Sequence, residues 1–244
     1  VRYWIHNGFV NINNEKMSKS LGNFFTIRDV LQQVHPEALR LFVLSKHYRS
    51  PVDFSDETVA EAERGLEKLY HTLAAVKDRT PASQEGETAE KVLQSQDSEL
   101  FQETLALPQA FTEAMDNDFN TAQVIGYFFS LQRHLQRFLD RFGQKKLKGP
   151  AAALARKAAS TLQQYAGIMG LLGIEPEVFM EEQRVLKLKA TGMTAEEVER
   201  LIELRQQARK NKDFAEGDRI RKELEDKGIQ LEDTAGGTRW RVTV

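Results

Sequence analysis

Along residues 57–78 the apolar side chains fall at Val59, Ala62, Leu66, Leu69, Leu73 and Val76, at alternating intervals of three and four. That spacing draws one stripe down a helix that packs against neighbours, and Asp56 stands where a cap belongs. The rhythm returns through about 121–141, where Val124, Ile125, Phe128, Leu131, Leu135 and Phe138 share one side. Residues 151–172 are alanine-rich and strongly helical, with Leu154, Leu162, Tyr165 and Ile168 expected to face inward. Polar residues with Pro81 and Gly86 make 79–97 a loop between helices, and Gly143 to Pro150 breaks the chain again. These segments predict an antiparallel helical bundle over 56–183.

The ends are patterned differently. Residues 3–13 read as extended, with Asn7-Gly8 as a turn and Phe9, Val10 and Ile12 apolar. Thr26-x-x-Asp29 reads as a helix start capped by Thr26, and that helix stops before Pro36. Pro36 then opens a second helix whose apolar face is Ala38, Leu39, Phe42 and Val43. Beyond Gly173, Pro176 and Gly192, the run Thr194-Ala-Glu-Glu197 is a capping box for a helix ending near Lys212. Asp213 caps another, which ends at Gly228. Residues 229–233 and 238–242, joined through Gly236-Gly237, predict a β-hairpin. The expected fold is mainly α: a segment 1–55 with connecting helices, a bundle over 56–183, and a small α/β unit of two helices plus a β-hairpin over 184–244.

Composition adds exclusions. At 41% hydrophobic and 29% charged residues the chain has an ordinary soluble make-up. No apolar run approaches the roughly 20 residues of a membrane span, and no basic leader precedes an apolar stretch, so a cytoplasmic protein is expected. The chain starts Val-Arg-Tyr-Trp and its first methionine is Met17, which reads as a fragment whose N-terminal portion is absent. With no cysteine, and histidines scattered at 6, 35, 47, 71 and 134, no metal site is expected within the segment. The net charge of −2 divides unevenly: 1–50 carries 7 basic and 3 acidic side chains, 184–244 carries 14 and 12, and the middle is acidic. Both ends can therefore meet phosphates.

Residues 16–23, Lys-Met-Ser-Lys-Ser-Leu-Gly-Asn, carry the sharpest chemistry. Two ammonium groups, two hydroxyls and a glycine that admits close backbone approach suit a nucleotide's phosphates. The plainer alternative, two solvated lysines in a polar loop, leaves the rest of the run unexplained. The segment resembles the signature loop of class I aminoacyl-tRNA synthetases. By that resemblance Lys19 stabilises the charge that builds as pyrophosphate leaves. Lys16 is the second catalytic cation, and Lys16, Met17, Ser18, Lys19 and Ser20 bind ATP.

The flanks narrow the family. Tyr3-Trp-Ile-His-Asn-Gly-Phe9, Leu21-Gly-Asn-Phe-Phe-Thr-Ile-Arg-Asp29, His47-Tyr48-Arg49-Ser50-Pro51, Lys212-Asp-Phe-Ala-Glu-Gly-Asp-Arg-Ile-Arg221, and Gly237-Thr-Arg-Trp-Arg241 resemble cysteinyl-tRNA synthetase. The resemblance implies that 1–55 ends a catalytic core and that 184–244 binds an anticodon. It implies joining of cysteine to its tRNA with magnesium-bound ATP, through cysteinyl-adenylate, by a monomer. It also implies a zinc whose ligands, with the nucleotide fold, lie outside this segment, so the chain alone should lack a complete active site. Asp233 is then the candidate reader of the guanine that begins the anticodon, with Arg209, Asp218, Phe214 and Trp240 beside it. His47, Tyr48 and Arg49 are candidates for the acceptor-stem path. Three rivals differ in partner. A mycothiol-pathway cysteine ligase has no use for an anticodon-reading tail, a stand-alone tRNA-binding module has none for a phosphate loop, and a helical scaffold explains neither.

Overall fold

The computed structural model describes residues 1–13, 15–17, 26–81, 98–234 and 237–242, and the chain divides into two compact units. The first comprises Val1–Thr26 and Pro36–Phe179, the second Ile27–His35 and Met180–Val244.

The first unit begins with a small sheet in the order β2-β1-β3. Here β1 is Val10–Ile12, β2 is Glu15–Lys16 and β3 is Val52–Phe54. Strand β1 runs antiparallel to β2 and parallel to β3. The extended reading of 3–13 thus narrows to three paired residues, and Gly8 meets the turn at 48–50 instead. Gly8 donates its N–H to the Tyr48 carbonyl at 2.7 Å, and a Cβ there would lie 2.2 Å from the Ser50 carbonyl oxygen. Only glycine permits that approach.

Helix α2 (Pro36–Leu44) turns Ala38, Leu41 and Phe42 inward. Leu41 replaces the expected Leu39 and Val43, which are half-buried and exposed. Glu37 is buried as well and is fully employed: Tyr70 Oη donates at 2.9 Å, and the Leu172 and Gly173 amides at 2.8 and 3.2 Å.

The bundle consists of α3 (Asp56–Arg79), α4 (Ser98–Asp116), α5 (Thr121–Asp140) and α6 (Gly149–Ile168). Ser55, not Asp56, caps α3, because its hydroxyl accepts from the Thr58 N–H while Thr58 closes the box in return. The predicted stripe of α3 is inward, with Leu66 and Leu69 fully buried, and all six apolar residues read on α5 are buried. Helix α4 is one that the apolar spacing does not assign. It continues through Pro108, and its packing on α5 and α6 outweighs the lost backbone bond. The inner face of α6 is largely alanine (Ala152, Ala155, Ala158, Ala166) with Leu154 and Leu162, which lets α4 and α5 approach closely. Tyr165 is half-buried, and Ile168, on the last turn, is exposed.

Helix α7 (Pro176–Ala190) carries the chain into the second unit, and Pro176 occupies its first position instead of breaking the chain. The second unit also holds α1 (Ile27–Val30), α8 (Ala195–Lys210), α9 (Phe214–Asp226), and the antiparallel pair β4 (Ile229–Thr234) and β5 (Gly237–Val242). The capping box of Thr194 with Glu197 and the cap by Asp213 form as read. Val198, Ile202, Ile220, Leu224, Ile229 and Leu231 make its core. Buried His35 meets Glu182 at 3.0 Å, fastening 27–35 to α7.

Among the described residues no helix is long and apolar enough to cross a membrane.

Candidate nucleic-acid interface

The phosphate-loop candidates straddle the limit of the described residues. Lys16 pairs through its backbone with Asn11 in the β1–β2 hairpin, whose turn includes Asn13 at φ +50°. Met17 follows, half-buried. Ser18, Lys19 and Ser20, with Leu21 and Gly22, lie outside the described residues, as do 82–97 of the expected loop and Gly236 of the hairpin turn.

In the first unit, His47, Tyr48 and Arg49 gather on Asp118. Arg49 Nε and Nη2 donate to its two oxygens at 2.6 and 2.9 Å, and Tyr48 Oη donates at 2.6 Å. The His47 ring stacks on Tyr48 with centroids 5.0 Å apart, and the Arg49 guanidinium lies 5.1 Å from the Tyr48 centroid. Hydrogen bonds from Arg49 and then Tyr48 hold the Asp118 carboxyl well below the usual carboxylate range. The cluster fastens the turn at 47–50 to the α4–α5 turn, where Asp118 and Phe119 both take positive φ. Phe119 is exposed beside it.

The second unit brings most of the tail candidates together. Arg205 and Arg209 stand one turn apart on α8, and Asp233 comes from β4 opposite Thr238 on β5. Arg205 grips Asp233 with two parallel bonds, Nη1 to Oδ1 at 2.9 Å and Nη2 to Oδ2 at 2.8 Å. Arg209 Nη1 reaches Oδ2 at 3.2 Å and Thr238 Oγ1 reaches Oδ1 at 2.8 Å. Arg205, then Thr238, therefore keep the Asp233 carboxyl far below its ordinary range, and Asp233 in turn raises the Arg205 guanidinium.

Asp218, exposed on α9, adds its field to Arg205. Phe214 opens α9 and is 60% exposed. Buried Gly217 lets the Arg209 stem lie flat on α9, since a Cβ there would sit 3.3 Å from Arg209 Cγ. Trp240 differs from the others. Its ring lies under the Arg184 guanidinium at 4.5 Å and its indole N–H donates to Glu199 at 2.7 Å, so it is engaged within the unit.

Sequence reasoning misses Arg205 and Thr238. Arg205 had a signal: it continues the inward stripe Val198, Ile202 of α8, where an arginine must bring its own counter-charge. Thr238 shows only through the hairpin register.

An exposed ring, and separately paired cations on a carboxylate, are groups of the kinds that stack on a single-stranded base and bond its edge. No grouping of three or more His, Asp or Glu fit to hold a metal occurs among the described residues, and the chain has no cysteine. The zinc that the resemblance implies thus finds no donor set among them.

Three family models match along the chain. Residues 1–64 match the tRNA synthetases class I (C) catalytic domain, 110–173 the DALR domain, and 191–241 the cysteinyl-tRNA ligase anticodon binding domain. A cysteine–tRNA ligase of Syntrophobacter fumaroxidans is 69% identical over 99% of this chain and 49% of its own length. Those of Geobacter metallireducens and Geobacter sulfurreducens are 48% and 47% identical, over 98% and 99% of this chain and 48% of theirs. The chain spans about half the length of the curated relatives it matches. A solved complex of Agrobacterium radiobacter K84 agnB2 LeuRS with tRNA and LeuAMS overlays 70% of this chain and 23% of its own at TM-score 0.45 and 19% identity, too slight a likeness to bear on function.

Proposed function

Since the chain belongs to the cysteine–tRNA ligase family, we propose that it serves the ATP-dependent joining of cysteine to the tRNA with the Cys anticodon, through cysteinyl-adenylate. The labour divides along the sequence: 1–55 closes the catalytic core, 56–183 is the bundle, and 184–244 reads the anticodon. The protein acts as a cytoplasmic monomer. The observation that carries the reading is the match of 191–241 to an anticodon binding domain of this amino-acid specificity. It falls on the segment that contains the Arg205–Asp233–Arg209 cluster and exposed Phe214.

In this reading Asp233, Arg209 and Asp218 bond the edges of the anticodon bases, Phe214 stacks on one, and Trp240 borders them from the hairpin. His47, Tyr48 and Arg49 meet the acceptor stem. Lys16, Met17, Ser18, Lys19 and Ser20 close over magnesium-bound ATP, which supplies the activating phosphoryl chemistry. Lys16 and Lys19 donate to the phosphates, and Lys19 neutralises charge as pyrophosphate departs.

The test joins this chain to the unmatched half of the Syntrophobacter fumaroxidans relative and measures cysteine-dependent exchange of pyrophosphate into ATP. Activity in the joined protein, and a loss of about a hundredfold or more in Lys19→Ala, is the expected result, in keeping with the removal of one preorganised donor to developing charge. Normal exchange in Lys19→Ala refutes the role given to the loop.

A further inference from the structure

Six of the 13 basic side chains in 51–183, but only one of its 21 acids, fall within 133–148. Arg133 and Arg137 stand one turn apart on α5, Arg141 is its C-cap, and Lys145, Lys146 and Lys148 follow in the turn to α6. All six are exposed. Four residues of helix rise about 6 Å, so the arginines climb α5 in steps of that length. Acids of α4 and α5 bond elsewhere: Asp140 accepts from Gln136 at 2.8 Å, and Glu103 accepts from Ser130 at 2.8 Å and meets His134 at 2.6 Å. Arg141 lies 5.5 Å from the Phe138 centroid and Lys146 donates to the Asp78 carbonyl, so these two are partly occupied. The turn is also held in shape. Arg79, buried at the end of α3, donates to the Leu139 and Lys145 carbonyls at 3.0 and 3.2 Å, and the buried Leu147 returns its N–H to the Arg79 carbonyl at 2.7 Å. Lys145 and Lys148 therefore stand on backbone that is fixed before a partner arrives, and Arg79 adds its charge beneath them.

We propose that this basic stripe docks on the phosphate backbone of an RNA stem without reading its sequence. Guanidinium forks match phosphate oxygens two at a time. Among the described residues no large apolar side chain between Phe119 and Ile168 is exposed, so the face lacks the anchors on which protein partners and lipid-inserting helices rely. The rest of the bundle is acidic and repels a polyanion everywhere except along this line, which fixes where the stem lies. RNA is the polyanion that a chain of this family meets. The stripe is also apart from the turn at 47–50. Thr121 of α5 meets the Lys46 carbonyl, and Arg133 comes about 18 Å further along the helix.

The test is fluorescence anisotropy of the whole chain with a labelled, blunt-ended RNA duplex, titrated across a range of salt. The duplex holds no anticodon, so the outcome is independent of the role given to Asp233. The double change Arg133→Gln and Arg137→Gln should weaken binding about tenfold or more near 0.1 M salt. It should also make the slope of log affinity against log salt shallower by about 1.5, as the loss of two phosphate contacts requires. Arg64→Gln with Lys68→Gln removes the same charge from exposed positions of α3 and should leave affinity within about threefold, because salt screens charges that touch nothing. Equal losses in the two double variants overturn the proposal, as does an unaltered chain that binds phosphatidylserine vesicles but not the duplex. A lowered melting temperature with unchanged duplex affinity in the Arg133 and Arg137 variant also overturns it, and assigns the stripe to the chain's own acids in 82–97.

Discussion

Removing Asp233 should harm the second unit more than removing the arginine it grips. The asymmetry follows from where each partner lies. Arg205 is 2% exposed and its Nε already has no hydrogen-bond partner, whereas the Asp233 side chain is 45% exposed. Asp233→Ala strands a guanidinium in the interior. Breaking a buried pair in this way costs about 3–5 kcal/mol, and access of water to the Asp233 side lowers the expectation to about 2–3 kcal/mol. Arg205→Met leaves a half-exposed carboxylate that still accepts from Thr238 at 2.8 Å and Arg209 at 3.2 Å, while the methionine fills the stem's space. That loss is about 1 kcal/mol. The double variant should resemble Arg205→Met alone, because no stranded charge remains. Urea unfolding in a Trp4→Phe background leaves Trp240, packed on the second unit's core, as the only tryptophan and so the probe of that unit. Asp233 should also make stability acid-sensitive. Its folded carboxyl is depressed, so the contribution is complete above the ordinary value of 3.8 and drains away as pH falls below it. If Arg205→Met proves the more damaging change, or the double variant is worse than Asp233→Ala, the account of the pair fails.

Three further outcomes test the scaffold. Phe128, fully buried on α5, should cost about 3–5 kcal/mol as Phe128→Ala in thermal unfolding followed by helical circular dichroism. Thr194→Ala should cost the second unit about 0.5–2 kcal/mol by loss of its capping box, and Thr194→Ser should recover it. Gly8→Ala should force the chain off Ser50, where a Cβ would approach the carbonyl oxygen to 2.2 Å. Faster amide exchange at Val52, whose N–H donates to the Phe9 carbonyl at 2.9 Å, reports that displacement.

Much of this architecture was legible because local chemistry and packing agree. The α5 stripe, the Thr194 box, the Asp213 cap and the hairpin each rest on signals a few residues long, and each forms. The misreadings arise where packing decides. Pro176 looks like a break, yet it starts α7, and α4, which the apolar spacing does not assign, runs through Pro108. On α6 Leu154 and Leu162 are buried as expected, but alanines make up most of the inner face, Tyr165 is half-buried and Ile168, on the last turn, is exposed. On α2 Ala38 and Phe42 are inward as expected, but Leu41 stands in place of Leu39 and Val43, next to a buried Glu37 that the apolar pattern does not reveal. In the candidate site, motif resemblance pointed to Asp233 and Arg209 but not to the bonds that fill the carboxylate. Those bonds join residues 24 and 28 positions apart and exist only once α8 meets the hairpin.

The central claim is that this chain reads the anticodon of a particular tRNA. Its most direct test is the affinity of the chain for tRNA bearing the Cys anticodon, set against the same tRNA with only the first anticodon base changed, at fixed and stated salt. The account predicts about tenfold or greater preference for the unaltered tRNA, as expected of one base contact worth about 1–3 kcal/mol. Equal affinity for the two contradicts it.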